Sequence, residues 1–468
     1  MGNTDYQVIV IGSGPAGHHA AIQAAKLGRR VAIIERREAV GGVCINTGAI
    51  PSKSLREAVL SLSGYRDQSL SGASRTRRRP TMTELLRRCH WVVQREVDVY
   101  HAQFARNGVD VLSGKARFVS DREIELIRAG GTLRLSAESF IIAVGTQPAS
   151  SPQFPVDGRR IVDADTVLEL PSVPPTVAVV GAGVVGVEYA CMFGALGSRV
   201  TLVDARHRIL EFVDNEISEA LMYHMRDLGV TPRLGEEVTH VEADDEGVTA
   251  HTKSNKRIRA HVVLYAVGRQ GATDGMNLET AGLEADSRGR LVVNDRMETA
   301  VPGIYAAGDV IGFPSLAGTS MEQGRVAALS ACGVESERVA DLFPYGIYTI
   351  PEVSFVGKTE EQLTEEGVPY EIGVAHYREL ARGNIIGDHT GRLKVIFHRE
   401  TEEVLGVHAI GEGACELIHI GQAVMVLGGT IRYFEEQVFN YPTLAEAYKV
   451  AALNGLSRLE RFTRKAAA

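Results

Sequence analysis

Twice in this chain an apolar, β-branched run leads into a Gly-x-Gly-x-x-Gly turn, then a helical stretch, a second apolar run and an acid. In the first copy residues 7–11 form the strand, Gly12-Ser13-Gly14-Pro15-Ala16-Gly17 the turn, and residues 31–34 a second strand ending on Glu35. In the second copy residues 176–180 lead into Gly181-Ala182-Gly183-Val184-Val185-Gly186, and residues 199–204 end on Asp204. Each acid stands 18 positions after the last glycine of its turn, near the ~20 of a dinucleotide-binding fold. Short apolar runs of this kind read as buried parallel strands. Gly12 supplies a tight turn, Gly14 lets the backbone approach a pyrophosphate, and Gly17 lets helix and strand pack closely. The helix N-terminus offers free N–H groups and the positive end of its dipole to phosphate. Glu35 is placed to accept hydrogen bonds from a ribose.

The closing strands repeat as well. Residues 140–142 run into Ala143-Val144-Gly145-Thr146-Gln147, and residues 262–265 into Ala266-Val267-Gly268-Arg269-Gln270. This duplication predicts two nucleotides, with chemistry passed between them; the alternative is two copies of which one is occupied. Asp204 favours the free 2′-hydroxyl of NAD, whereas Arg206, followed by His207 and Arg208, suits the 2′-phosphate of NADP. The basic residues read either as part of a site that accepts both nucleotides or as an exposed loop.

A chain of 468 residues has room for about three domains. Six prolines between residues 148 and 175 mark a boundary. Beyond residue 341 the pattern predicts strands at 352–356, 393–397 and 405–411, with helices at 359–366, 413–427 and after Pro442. The fold class read from this is α/β, with two Rossmann-like dinucleotide-binding domains and a C-terminal α+β domain. The expected domains are residues 1–150 with 271–340, residues 151–270, and residues 341–468.

Net charge is −8, which predicts no general attraction to nucleic acid or anionic membrane. The cluster Arg75-Thr76-Arg77-Arg78-Arg79 is a local exception, read as a solvated loop. The five cysteines are scattered and odd in number, so neither a secreted disulfide framework nor a metal site is expected. The N-terminus lacks a signal peptide pattern, and residues 173–197 are too broken by prolines and glycines to read as a membrane span. A cytoplasmic location is expected.

Residues 41–53, Gly41-Gly42-Val43-Cys44-Ile45-Asn46-Thr47-Gly48-Ala49-Ile50-Pro51-Ser52-Lys53, hold a lone thiol. Ala49 stands five positions after Cys44, where a second cysteine could close a disulfide. Pro51 and Ser52 read as a helix start, which puts Lys53 in a first turn that does not favour a cation; a plain surface lysine is the other reading. Trp91, in a helix predicted over residues 82–107, is expected in the core. Asp309 lies at the carboxyl end of a strand within residues 301–310 and is a candidate cofactor contact. Thr443 and Glu446 have capping-box spacing.

These residues together resemble the flavoprotein pyridine nucleotide–disulfide oxidoreductases, across residues 6–462. The resemblance implies FAD in the first domain, held by Gly12, Gly14, Gly17, Glu35, Gly42, Cys44, Gly145 and Asp309. It implies NADP(H) or NAD(H) in the second, held by Gly181, Gly183, Gly186, Asp204, Arg206 and Gly268. It also implies a C-terminal interface domain that forms a homodimer or a larger homo-oligomer. Lys53 corresponds to the family lysine near flavin N5, and Glu188 to its ion-pair partner.

Two parts of the family pattern are missing. Ala49 replaces the second cysteine, and Tyr441 replaces the acid–base histidine, although Glu446, which would orient that histidine, is kept. Disulfide chemistry needs both a second sulfur and a base. The segments Tyr348-Thr349-Ile350-Pro351-Glu352, Phe439-Asn440-Tyr441-Pro442-Thr443 and Val310-Ile311-Gly312-Phe313-Pro314-Ser315-Leu316 are similar to a transhydrogenase branch of the family. That branch implies a ping-pong exchange: NADPH gives a hydride to flavin N5 and NAD+ takes it back. Cys44 is then a packing residue, and Tyr441 fills the space of the histidine, facing the partner subunit. The rival readings are an NAD(P)H:quinone or dye reductase and a non-catalytic, FAD-stabilised binding protein.

Overall fold

The computed structural model describes residues 4–65, 80–335 and 339–466; the arginine cluster at residues 75–79 lies outside them. The chain divides into two compact units. The first comprises Met1–Leu55, Leu86–Ser150 and Gly268–Ala340, and the second Arg56–Leu85, Ser151–Val267 and Asp341–Ala468.

The first unit is built on a seven-stranded sheet. Its order is Asp110–Ser113, Val31–Glu35, Tyr6–Ile11, Gly131–Ile142, Glu123–Arg128, Lys115–Phe118, with Ile304–Ala306 also paired to Gly131–Ile142. The strands around Tyr6–Ile11 are parallel, with Ile9 opposite both Ala32 and Phe140. Every residue of Val31–Glu35 is buried, as a strand covered on both faces requires. The 12-residue strand Gly131–Ile142 serves two sets of partners. Its first half pairs antiparallel with Glu123–Arg128, and its second half pairs parallel with Tyr6–Ile11 and Ile304–Ala306. Its burial follows, exposed at the start and buried at the end.

Helix Met82–Arg106 buries Cys89, Val97, Tyr100 and Phe104, residues that recur on one helical face. Trp91 lies off that stripe and is 54% exposed, so it is not the core residue expected. The Arg88 guanidinium stands over its indole, 4.3 Å from the ring centroid. A cation over the ring face partners the tryptophan in solvent.

The second unit repeats the plan. Val230–Leu234, Arg199–Asp204, Thr176–Val180, Val262–Tyr265 and Ile161–Val162 form a parallel sheet in that order. An antiparallel excursion, Val238–Ala243, Val248–Thr252 and Arg257–Ala260, precedes the closing strand. The proline-rich stretch is therefore more than a linker, since it donates Ile161–Val162 to the sheet. A third sheet is wholly antiparallel, in the order Tyr345–Ile347, Val353–Gly357, Val404–Ile410, Arg392–His398, Tyr370–His376. Helices Ala414–Val426 and Glu446–Ala466 pack on it.

A buried ion cluster joins the parts of this unit. The Lys394 side chain, 1% exposed on strand Arg392–His398, stands 3.0 Å from Asp214 and 3.3 Å from Glu216, and it also contacts Glu360. Asp214 caps helix Asn215–Asp227 by accepting from the Glu216 amide. Burial opposes the charge on Asp214, but His408, the Lys394 ammonium and the Glu360 amide hold the carboxyl below the usual range. One buried lysine thus fastens the Rossmann-like part to the antiparallel part. Removing it leaves buried carboxylate charge without its cation. Lys394→Met is expected to lower stability by about 3–5 kcal/mol, read as a lower denaturant midpoint; a wild-type midpoint would show that the cluster carries little.

Candidate functional site

The two glycine turns are superposable in their local chemistry. Gly12 and Gly181 have φ of +104° and +109°, a region that favours glycine. Their amides donate to Ile34 and Val203 carbonyl oxygens, each at 2.8 Å. A Cβ on Gly17 would overlap the Gly12 carbonyl oxygen, and one on Gly186 would overlap that of Gly181. Helices Pro15–Lys26 and Val184–Ala195 start at Gly14 and Gly183, neither with a side-chain cap. Their leading N–H groups are the natural seat of an anion. A side chain at Gly183 would meet nothing within 4 Å, and one at Gly14 would reach only the Gly42 Cα at 4.0 Å. The space in front of each turn is open.

The acids do a job that their spacing did not reveal. Glu35 accepts from the Ser13 amide at 3.2 Å, the Ser13 hydroxyl at 2.5 Å and the Arg37 amide at 2.8 Å. Asp204 accepts from the Ala182 amide at 2.5 Å and the Arg206 amide at 2.8 Å. Each carboxylate therefore clamps the residue after the first glycine of its turn and the amide two places beyond itself. The second acid also holds a guanidinium. Arg206 Nε and Nη2 donate to the two Asp204 oxygens at 2.9 and 2.7 Å. Burial opposes ionisation of Asp204, yet Arg206 and the two amides hold it below the ordinary carboxylate range.

Ser13, which sequence reasoning passed over, extends the clamp. Its hydroxyl donates to Glu35 and accepts from the Gly41 amide at 2.9 Å. Gly41 and Gly42 have φ of +102° and +59°, and a Cβ on Gly42 would collide with Gly14. The first turn is thereby fixed against the stretch that carries Cys44. That thiol is free, and burial, aided by the charge of Asp309 and opposed by Lys53, pushes it up to about 11. Cys44 is a protonated thiol at neutral pH, a poor nucleophile.

Helix Ala49–Leu62 begins earlier than expected. Lys53 therefore sits in its second turn, clear of the first turn where the dipole disfavours a cation. The lysine Nζ donates to Ser52 Oγ at 3.4 Å. Asp309 follows strand Ile304–Ala306 and opens a short 3-10 turn. Burial raises its pKa, against the charge of Arg269 and hydrogen bonds from Ser320 and Thr146. Gly145 and Gly268 take φ of +64° and +83° on either side of the ribbon that pairs Thr146–Pro148 with Arg269–Gly271.

Glu188 is 4% exposed on helix Val184–Ala195, and its Oε1 accepts the Tyr348 amide at 2.9 Å. Lys53 belongs to the first unit and Glu188 to the second. Tyr441 is 67% exposed in the segment before the last helix. The capping box does not form: Thr443 Oγ1 donates to the Asn440 carbonyl at 2.6 Å instead, and Glu446 opens the helix with Oε2 buried and without a hydrogen-bond partner among the described residues.

The family model described as Pyridine nucleotide-disulphide oxidoreductase matches residues 6–324, and that of its dimerisation domain matches residues 343–452. The chain belongs to the pyridine nucleotide-disulphide oxidoreductases. Within that family it is similar to the soluble pyridine nucleotide transhydrogenase of Mycobacterium tuberculosis (strain ATCC 25177 / H37Ra), 51% identical over 459 residues, 97% of this chain and 98% of that one. The soluble pyridine nucleotide transhydrogenase of Colwellia psychrerythraea is 46% identical over 462 residues, 97% of this chain and 99% of that one. Among solved structures, the HOCl-induced flavoprotein disulfide reductase RclA from Escherichia coli has a TM-score of 0.87 at 28% identity, covering 96% of this chain and 99% of its own. LpdA from Mycobacterium tuberculosis has a TM-score of 0.88 at 25% identity, with coverage of 96% and 99%. The α/β class expected from the duplicated pattern is the fold this family shares.

One frame in this family thus carries proteins named for disulfide reduction and for transhydrogenation, and the local residues must separate them. Iodoacetamide should modify Cys44 at pH 8 at least about tenfold more slowly than it modifies free cysteine, by peptide mapping. Fast modification would reveal an activated thiolate.

Proposed function

We propose that this chain is an FAD-dependent oxidoreductase that transfers a hydride between NADPH and NAD+. The observation that carries the reading is the pairing of two glycine-turn cradles with a lone Cys44, whose thiol burial pushes up. Ala49 stands where the family's second thiol would be, and Tyr441 where its base would be. The residues fit the cofactor: an open glycine turn at a helix start suits a pyrophosphate, and the buried Asp309, whose charge burial opposes, suits hydroxyl donors. Bound FAD supplies a two-electron carrier that accepts hydride from one nicotinamide and returns it to another.

The chain's own residues bind, orient and polarise. Gly12, Gly14, Gly17 and Gly42 receive the FAD diphosphate and Glu35 its ribose. Gly145, Cys44 and Asp309 line the rest of that site. Gly181, Gly183, Gly186 and Gly268 do the same for the nicotinamide nucleotide, and Asp204 and Arg206 between them meet a 2′-hydroxyl or a 2′-phosphate. Lys53, with Glu188 as its counter-charge, supplies a fixed positive field where negative charge develops. No proton donor is needed for a hydride that is stored and returned, which suits a site without thiol pair or histidine. We assign residues 1–150 and 271–340 to the FAD domain, 151–270 to the NAD(P) domain and 341–468 to a homodimer interface. In that interface Tyr441 and the unpartnered oxygen of Glu446 face a second copy. No described helix is long and apolar enough to cross a membrane. We place the enzyme in the cytoplasm, acting on small nucleotides and not on nucleic acid.

The purified holoenzyme should oxidise NADPH with an NAD+ analogue and show no turnover with lipoamide or glutathione disulfide. Appreciable disulfide reduction would sink the assignment, and quinone outpacing NAD+ as acceptor would favour a quinone reductase. Arg206→Ala should raise KM for NADPH more than KM for NAD+. Equal effects on both would leave Arg206 as a support for Asp204 only.

A further inference from the structure

Two groups of three acidic or histidine side chains, among the described residues, bring potential ligand atoms within 4.8 Å of one another. One is Asp214, Glu216 and Glu360, and its cation is already present as the Lys394 ammonium. The other is His240, Glu242 and His251, on the antiparallel hairpin of the second unit. His240 pairs directly with His251 across the strands. Glu242 is two residues along from His240, so all three share a face of the ribbon. The two imidazoles stack with centroids 4.4 Å apart and planes 6° from parallel. Both Nε2 atoms meet the same carboxylate: His251 at 3.1 Å from Oε2 and His240 at 3.7 Å from Oε1.

The tautomer of His240 is set by its neighbour. Thr239 Oγ1 has one proton, and it donates that proton to the His251 carbonyl at 3.1 Å. The same oxygen lies 3.1 Å from His240 Nδ1. With its proton on that carbonyl it accepts from Nδ1, the tautomer in which Nε2 presents its lone pair. A bare imidazole lone pair therefore confronts a carboxylate oxygen. Two acceptors facing one another on two imidazole-bearing strands form a donor set that suits a cation. A hydrogen-bond acceptor on the far nitrogen is also the usual way in which a ligating histidine is oriented.

We propose that His240, Glu242 and His251 form a binding site for a divalent transition-metal ion of the Cu2+, Ni2+ or Zn2+ class. Two imidazole nitrogens and one carboxylate suit these ions and not Mg2+ or Ca2+, which take all-oxygen sets. Glu242 is exposed, so water completes the coordination. Nothing in the linear spacing of these residues resembles a metal motif; the hairpin register creates the set.

The test uses the full-length holoenzyme with any affinity tag removed, titrated with CuCl2 and with NiCl2. One ion per chain is expected, with Cu2+ electron paramagnetic resonance showing coupling to two nitrogens. His240→Ala, His251→Ala and Glu242→Gln should each weaken binding by at least about tenfold. Thr239→Val should weaken it and Thr239→Ser should restore it, which separates positioning from mere bulk. An unchanged melting temperature without metal shows that the variants are folded. Binding that persists in the His240→Ala/His251→Ala double variant, or a spectrum lacking the two-nitrogen coupling, overturns the site; so does Glu242→Gln with wild-type affinity.

Discussion

The grip of an acid on the first residue of a glycine turn is the constraint on which both nucleotide folds rest. A turn that lets backbone face a phosphate must expose N–H groups, and exposed amides do not hold a loop in place. Glu35 and Asp204 supply the missing hold from the end of the neighbouring strand. The carbonyl oxygens of Gly12 and Gly181 then fill the space that side chains at Gly17 and Gly186 would need. Strand, turn and helix are locked together before any ligand arrives, which is preorganisation in its ordinary sense.

Electrostatics divides the chain between function and framework. Burial pushes the Cys44 thiol up, which disfavours the thiolate that sulfur exchange needs. The buried ammonium of Lys394 works elsewhere, holding a helix cap and an antiparallel sheet in one body. Removing one partner of such a cluster costs far more than the pair contributes over an apolar replacement.

Much of this was legible in the letters of the chain. The strands that flank the glycine turns are short, apolar and mostly buried, so pattern and structure coincide. Pattern failed where partners far away in sequence decide. The first half of Gly131–Ile142 is polar and exposed and becomes a strand only because Glu123–Arg128 pairs with it. Trp91 is drawn outward by the helical stripe it misses and by Arg88. The Thr443 and Glu446 spacing suggested a cap, yet the threonine satisfies a carbonyl behind it. In the candidate site, glycines and acids were visible from spacing, whereas Ser13 and the clamping role of the acids were not. A hydrogen bond across 22 positions leaves no local trace.

The clasp of Arg206 on Asp204 has a consequence for turnover. With Asp204 and Arg206 proposed to seat the ribose, a 2′-hydroxyl competes with the guanidinium for the carboxylate, and a 2′-phosphate competes with the carboxylate for the guanidinium. On that proposal either nucleotide enters at the expense of the Arg206–Asp204 contact. The loss is shared by both, so neither gains a decisive hold, and the clasp re-forms as each departs. A cycle in which two chemically similar molecules take turns at one seat is throttled by whichever lingers. On that proposal the salt link favours departure of the spent nucleotide as much as entry of the fresh one.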